Sequence, residues 1–283
     1  MVYLDKIFVS LVLATVVASN AYSNCLINGS GNGSESATQL STAEISEVYP
    51  SADQLPENLL RFYIYFSEPM AREGVLSSIS LLDDQGEVIP GVFLDNRYDL
   101  WSPDGTRLTL LFDPGRVKTG LEAHNLLGRA LIAGETYSLR VKGALDAKGC
   151  EIEGYQKTFQ AIYGYLTPPD INQWVVEPPA PQSRDPLRIN LGREIDHLSL
   201  AYRVRVQDEQ GNSIRGGLRL DENESVWVFT PSSPWQSQNY QIAIEAELED
   251  VAGNRISGLF DRPPSQGELE APPEKQYIYF SLK

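Results

Sequence analysis

The sequence predicts an all-β protein in which one sandwich unit occurs twice. Leu60, Phe62, Ile64 and Phe66 alternate with Arg61, Tyr63, Tyr65 and Ser67. A period of two turns one set into a core and the other toward solvent. A shorter alternation repeats it, with Leu187, Ile189 and Leu191 against Arg188 and Asn190. No window sustains a helical period. The nearest, Leu121 to Ile132, is interrupted by Gly128 and followed by Gly134, each costing a helix about 1 kcal/mol relative to alanine.

Residues 1–23 read as a signal peptide: Lys6, then an apolar run from Ile7 to Ala18, then Ala21-Tyr22-Ser23 as a cleavage site. The run is too short to span a bilayer, and the rest of the chain predicts no transmembrane segment. The localisation expected is therefore exported, periplasmic or extracellular. Residues 24–46, rich in Gly, Ser, Asn and Thr, cannot repay the entropy of being ordered and read as a flexible tether. Asn28-Gly29-Ser30 and Asn32-Gly33-Ser34 fit the N-glycosylation sequon. Cys25 and Cys150 are the two cysteines, and in an exported chain they form a candidate disulfide worth on the order of 4 kcal/mol.

The first unit, 47–166, reads as short strands separated by turns. Ile79 to Leu82 leads into Asp83-Asp84-Gln85-Gly86, and Val88 to Leu94 is expected to return as a hairpin strand. Leu108, Leu110 and Phe112 alternate up to Pro114-Gly115, as do Tyr137, Leu139 and Val141 up to the turn at Asp146 to Gly149. A last strand is expected near Phe159 to Tyr163. The connector 165–185 carries Pro168, Pro169, Pro178, Pro179 and Pro181, a density that makes it stiff. Its central Trp174-Val175-Val176 reads as an edge strand, where proline is tolerated.

The second unit, 167–283, repeats this order. Val204 to Gly211 corresponds to Ile79 to Gly86, and Trp227 and Phe229 before Pro231 correspond to Leu110 and Phe112 before Pro114. Tyr240, Ile242 and Ile244 with Asp250 to Gly253 correspond to Tyr137, Leu139 and Val141 with Asp146 to Gly149. Three correspondences in one order argue for duplication. Tyr277 to Leu282 alternates again and is expected to close the unit.

Phe66-Ser67-Glu68-Pro69-Met70, followed by Gly134-Glu135-Thr136-Tyr137 and Asp146-Ala147-Lys148-Gly149, resembles the SbsA-type bacterial immunoglobulin-like domain. The second unit resembles a diverged copy, keeping Asn239-Tyr240 and Asp250 to Asn254 but carrying Leu191-Gly192-Arg193-Glu194-Ile195 in place of the Phe-Ser-Glu-Pro-Met segment. The resemblance covers most of the chain beyond the tether. It implies two tandem immunoglobulin-like Greek-key β-sandwiches used as a spacer, adhesive or assembly module at the cell surface, with no shared active site.

Of 283 residues, 42% are hydrophobic and the formal net charge is −15. A surface of that sign repels phosphate backbones, which argues against nucleic acid as a partner. His124 and His197 are the only histidines, neither with a second His or Cys at ligand spacing; zinc is disfavoured and both read as surface or loop residues. No Gly-x-Ser-x-Gly elbow marks a hydrolase nucleophile. The carboxylates Asp83, Asp84 and Glu87, Asp95, Asp99 and Asp104, Asp221, Glu222 and Glu224, and Glu245 to Asp250 lie at turns where Ca²⁺ is the candidate ion, although none has EF-hand spacing. Solvated turn residues are the default in so acidic a chain. Trp101 and Trp235 on turns, with Arg116 beside Lys118, are candidate ligand contacts for a glycan; each ring also reads as a plug at the end of its own sandwich. The expected function is a non-catalytic cell-envelope structural or interaction module, without a required cofactor, whose partner is a protein or a cell-surface glycan. Glycan binding is the alternative, and a carboxylate-based hydrolase the third.

Overall fold

The computed structural model describes residues 41–95, 100–118, 128–261 and 273–283. In chain order the first unit contributes β1 (Ile45–Tyr49), β2 (Gln54–Pro56), β3 (Arg61–Phe66), β4 (Ile79–Leu82), β5 (Leu100–Trp101), β6 (Arg107–Leu111), the single turn α1 (Pro114–Val117), β7 (Thr136–Val141) and β8 (Tyr155–Ile162). The second contributes β9 (Val175–Glu177), β10 (Leu187–Asn190), α2 (His197–Arg203), β11 (Val204–Asp208), β12 (Gly216–Asp221), β13 (Val226–Pro231), β14 (Asn239–Glu245) and β15 (Lys275–Ser281).

These strands make two sandwiches. In the first, a sheet of order β1-β3-β6-β5 faces one of order β2-β8-β7-β4; in the second, β9-β10-β13-β12 faces β11-β14-β15. The two sheet pairs have the same strand order, except that the first unit adds β2, parallel to β8. Alternation builds each core. Phe62, Ile64, Leu108, Leu110, Leu139 and Phe159 fill the first, and Leu187, Ile189, Trp227, Ile242 and Ile244 the second. The architecture is all-β and immunoglobulin-like.

Turn chemistry repeats at atomic detail. Asp83 Oδ1 accepts from the N–H groups of Gln85 and Glu87, and Asp208 Oδ1 from those of Gln210 and Asn212. Asp146 Oδ1 accepts from Lys148 and Cys150, and Asp250 Oδ1 from Ala252 and Asn254. A short acceptor side chain that closes the turn on its own backbone explains the recurrent aspartate. The hydroxyls of Tyr137 and Tyr240 likewise each accept from a backbone N–H four or five residues upstream, at Ile132 and Gln236.

Several expectations are corrected. Residues 41–46 of the expected tether are held by the first sandwich: β1 starts at Ile45, Ala43 is buried, and Ser41 Oγ donates to Asp146 Oδ2. Val88 to Leu94 is not a return strand. It makes one bridge to Leu82 and one from Phe93 to Phe112, crossing between the sheets, because Pro90 lacks a donor and Gly91 takes φ +61°. The last strand of the first unit starts earlier, at Tyr155. The seven-residue helix α2 carries no periodic signal in the sequence; the window Leu121 to Ile132 lies largely outside the described residues. Signal peptide, sequons, Cys25, Asp99 and His124 also lie outside them. Among the described residues no helix is long and apolar enough to cross a membrane.

The largest correction concerns the outward face of β3. Period two assigns Tyr63 to solvent, yet it is only 3% exposed. The loops at one end of the second sandwich lie on it.

Candidate functional site

Three tyrosines and an arginine form the platform. Tyr49 ends β1, and Arg61, Tyr63 and Tyr65 project from one face of β3, as alternation requires. Onto it come the segment from Ile195 into α2, the β12–β13 turn and the turn after Glu249. Asp196 caps α2 by accepting from Ser199 N–H at 2.8 Å. Its other oxygen accepts from the Tyr63 hydroxyl at 2.8 Å. Arg61 donates to Glu249 Oε2 at 2.5 Å, and its Nε lies 3.9 Å from Asp196.

His197 sits inside the tyrosine platform, correcting its reading as a surface histidine. Its ring stacks on Tyr49 at 4.2 Å and meets Tyr63 edge-on at 4.5 Å, with Nε2 2.8 Å from the Tyr65 hydroxyl. Burial, with the charges of Arg107 and Arg61, pulls its pKa down to about 3. The ring is therefore neutral at any physiological pH and serves as an aromatic contact.

Glu224 supplies a second anchor. Ser51 donates to it through N–H at 2.8 Å and Oγ–H at 2.5 Å, and Lys157 donates to Ser51 O at 2.7 Å. The turn that carries it is strained: Glu222, Asn223 and Glu224 have φ of 51°, 55° and 63°. Three successive left-handed non-glycine residues cost of order 1–3 kcal/mol each and persist only where the surroundings hold them. The Ser51 contact is such a hold.

The third anchor centres on Tyr165, at the start of the connector. Asn58 exchanges hydrogen bonds with its backbone, Asn254 Nδ2–H donates to its carbonyl at 2.9 Å, and its hydroxyl donates to Glu194. Arg193 lies over its ring and pairs with Asp250 at 2.9 Å. Leu60 N–H donates to Val251 O at 3.0 Å, and Val251 packs into the first core. Gly253, at φ +77°, leaves no room for a side chain, since a Cβ there would stand 2.5 Å from Leu60 Cδ2.

The electrostatics are those of an interface whose charges are taken out of water. Burial pushes Asp250 up to about 6 despite Arg193 and its turn amides. Burial raises Asp196 and Glu224 as well, against Arg61 and Ser51 respectively. Asp146, in the equivalent turn of the first sandwich, goes the other way: hydrogen bonds from Ser41, Cys150 and Lys148 more than offset its burial. The void enclosed by Tyr49, Arg61, Tyr63, Asp196, His197 and Glu224 is about 10 Å³, too small for any substrate. What this cluster does is fix two sandwiches against each other.

The residues singled out from the sequence lie elsewhere and apart. Trp235 is 2% exposed, packs edge-on against Tyr240 and donates through Nε1–H to Asp185 O, so its ring faces its own core. Arg116 is buried in α1, where its guanidinium donates to Gly128 O and Pro90 O; it is neither a solvated loop residue nor open to a ligand. Trp101 is half-buried against Phe66 and donates to Arg72 O. Cys150 is disulfide-bonded. Among the described residues no three metal-ligating side chains converge. Of the turn aspartates considered for Ca²⁺, Asp83, Asp104 and Asp250 accept from the backbone of their own turns, and Asp221 is engaged with Arg188 and Arg219. The sequence signal that could have found the junction is an outward strand face made of tyrosines rather than Lys, Glu or Thr.

The fold and junction together define a two-sandwich immunoglobulin-like protein. No protein-family profile and no curated protein matches the chain. Among solved structures, the chain is similar to the S-layer protein rSbsC(31-844), with TM-score 0.31, 14% identity and 71% of this chain matched to 23% of that one. It is also similar to the N-terminal part of the bacterial S-layer protein SbsC (TM-score 0.30, 16% identity, 71% and 40% covered). A third match is native alpha-2-macroglobulin from Escherichia coli spanning MG0-NIE-MG1 (TM-score 0.27, 11% identity, 85% and 71% covered). The chain thus spans 23% and 40% of the two S-layer chains. Likeness of this degree adds no argument about function, and the fold assignment rests on strand order and register.

Proposed function

We propose that the protein is a non-catalytic structural or interaction module of the cell envelope, exported by its N-terminal segment and acting as a rigid two-sandwich unit. The observation that carries this reading is the burial of Tyr63, Asp196, His197 and Glu224 between the sandwiches. Tyr63, Asp196 and Glu224 are here buried and hydrogen-bonded around a void of about 10 Å³, an arrangement that suits rigidity. A stiff connector and a strained turn held by Ser51 suit a spacer that keeps its two ends at a fixed separation. Glycan binding gains no support from Trp101, Arg116 or Trp235, whose polar groups are all spent inside the protein.

Fractionation of the native cell, combined with chemical cross-linking, tests the proposal. Recovery in the envelope, cross-linked to a larger assembly, is the expected result. A cytosolic protein with reduced thiols would overturn it, and a glycan array with saturable binding would replace it with the glycan reading.

A further inference from the structure

The second sandwich is open along one side. Its four-stranded sheet faces one of three strands, so β12 overhangs β11, and the first four residues of β12 are all exposed. Leu218, which pairs with Phe229, is 39% exposed. Between the two strand edges lies a groove of about 390 Å³ floored by Val206, Leu218, Trp227 and Phe229. Trp227 is 2% exposed, and its Nε1–H has no acceptor among the described residues. A buried donor left without a partner costs about 1–3 kcal/mol.

The groove is basic in an acidic protein. Its only charged lining residues are Arg205 and Arg215, in a chain of 38 acids and 23 bases. Arg205 donates to the backbone carbonyls of Ala201 and Val204, not to a carboxylate. The neighbouring Asp208 and Asp221 are engaged with Asn212 and with Arg188 and Arg219. The equivalent groove in the first sandwich is an internal control. It is smaller, about 210 Å³, with Asp95 as its one charged residue.

We propose that the groove between β11 and β12 is the docking site for an extended acidic segment of a partner protein. An apolar side chain of that segment covers Leu218 above the buried Trp227 ring, and a carboxylate meets Arg205 and Arg215. Charge complementarity selects the acidic partner, and the open edge of β12, the outer strand of its sheet, favours an extended backbone. The inference does not depend on the cellular compartment or on the junction.

The test follows the Trp227 indole N–H resonance, assigned with Trp227→Phe, during titration with acetyl-Ser-Val-Glu-Val-Asp-Val-Thr-amide. The control peptide carries lysine at both acidic positions. A saturable shift with the acidic peptide alone is expected, weakened about tenfold by Arg215→Glu. Arg215 is exposed, so folding is not at risk; Arg205→Gln supplies a second variant, expected to weaken binding in the same direction. No shift at millimolar acidic peptide, an equal shift with the lysine peptide, or unchanged affinity in Arg215→Glu would each overturn the proposal. So would a shift that appears on concentrating the protein alone with a doubled molar mass, which would assign the groove to a second copy. A shift with a sulfated oligosaccharide but not with the peptide would assign it to a glycan.

Discussion

The hydroxyl of Tyr63 donates to Asp196 Oδ2 at 2.8 Å, joining residues 133 positions apart and on different sandwiches. Around this bond the outer surface of one sheet becomes the inside of the molecule.

Removing one side of the bond leaves a buried polar group without its partner. Tyr63→Phe is expected to lower stability by about 1–3 kcal/mol. Asp196→Ala also removes the α2 cap and is expected to cost more. Urea unfolding of both variants and the double mutant checks this. Additive effects would show that the two residues do not act together.

Stability is expected to fall as pH rises from about 4 to 7. Asp250 titrates at about 6 in the fold against an ordinary 3.8, and Asp196 and Glu224 are also raised. The folded state thus holds protons the unfolded chain has released. Their stabilising contribution is complete below the ordinary value and lost as pH passes the raised one. Asp104 and Asp221, held down at about 2, contribute in the opposite sense and only below pH 4. Urea midpoints should give a protein more stable at pH 5 than at pH 7 by about 1–3 kcal/mol, with a smaller difference in Asp250→Asn. A protein more stable at pH 7 would contradict the account.

Gly253→Ala is expected to be more damaging than Gly211→Ala. Both glycines take left-handed φ, +77° and +82°, but a Cβ at 211 meets nothing while one at 253 strikes Leu60. Gly211→Ala should cost about 1–2 kcal/mol of backbone strain. Gly253→Ala adds to the same strain about 1–3 kcal/mol of overpacking at the junction. Equal melting temperatures for the two variants would refute the Leu60 contact.

Deleting residues 275–283 removes β15 and with it Phe280 and Leu282, both buried in the second core. Each such side chain contributes about 1.5–3 kcal/mol by burial, so the truncated chain should melt many degrees lower. Circular dichroism at matched concentration decides it; an unchanged melting temperature would remove β15 from the core.

Alkylation of the denatured, unreduced protein is expected to add no mass at Cys150, and reduction first should expose it. Cys150→Ser should lower stability on the order of 4 kcal/mol if the closed loop runs back to Cys25. A labelled Cys150 without reductant would show that the thiol is free.

Strands, turns and the duplicated order were legible in the sequence because they are local. Parity in Phe62, Ile64 and Phe66 dictates a strand with one apolar face whatever else the chain does, and Asp146 and Asp250 close the same turn through their own backbones. Where local signals compete, the breakers and caps prevailed over the apolar pattern: Pro90 and Gly91 turned an apolar run into a crossing segment, and Asp196 capped a helix too short to show periodicity. Alternation tells which side chains of β3 share a face, but not whether water or protein covers it. That choice belongs to Tyr63, Tyr65 and His197 together, since burying each requires the partner the others supply across more than a hundred residues. Only the folded chain brings them within reach.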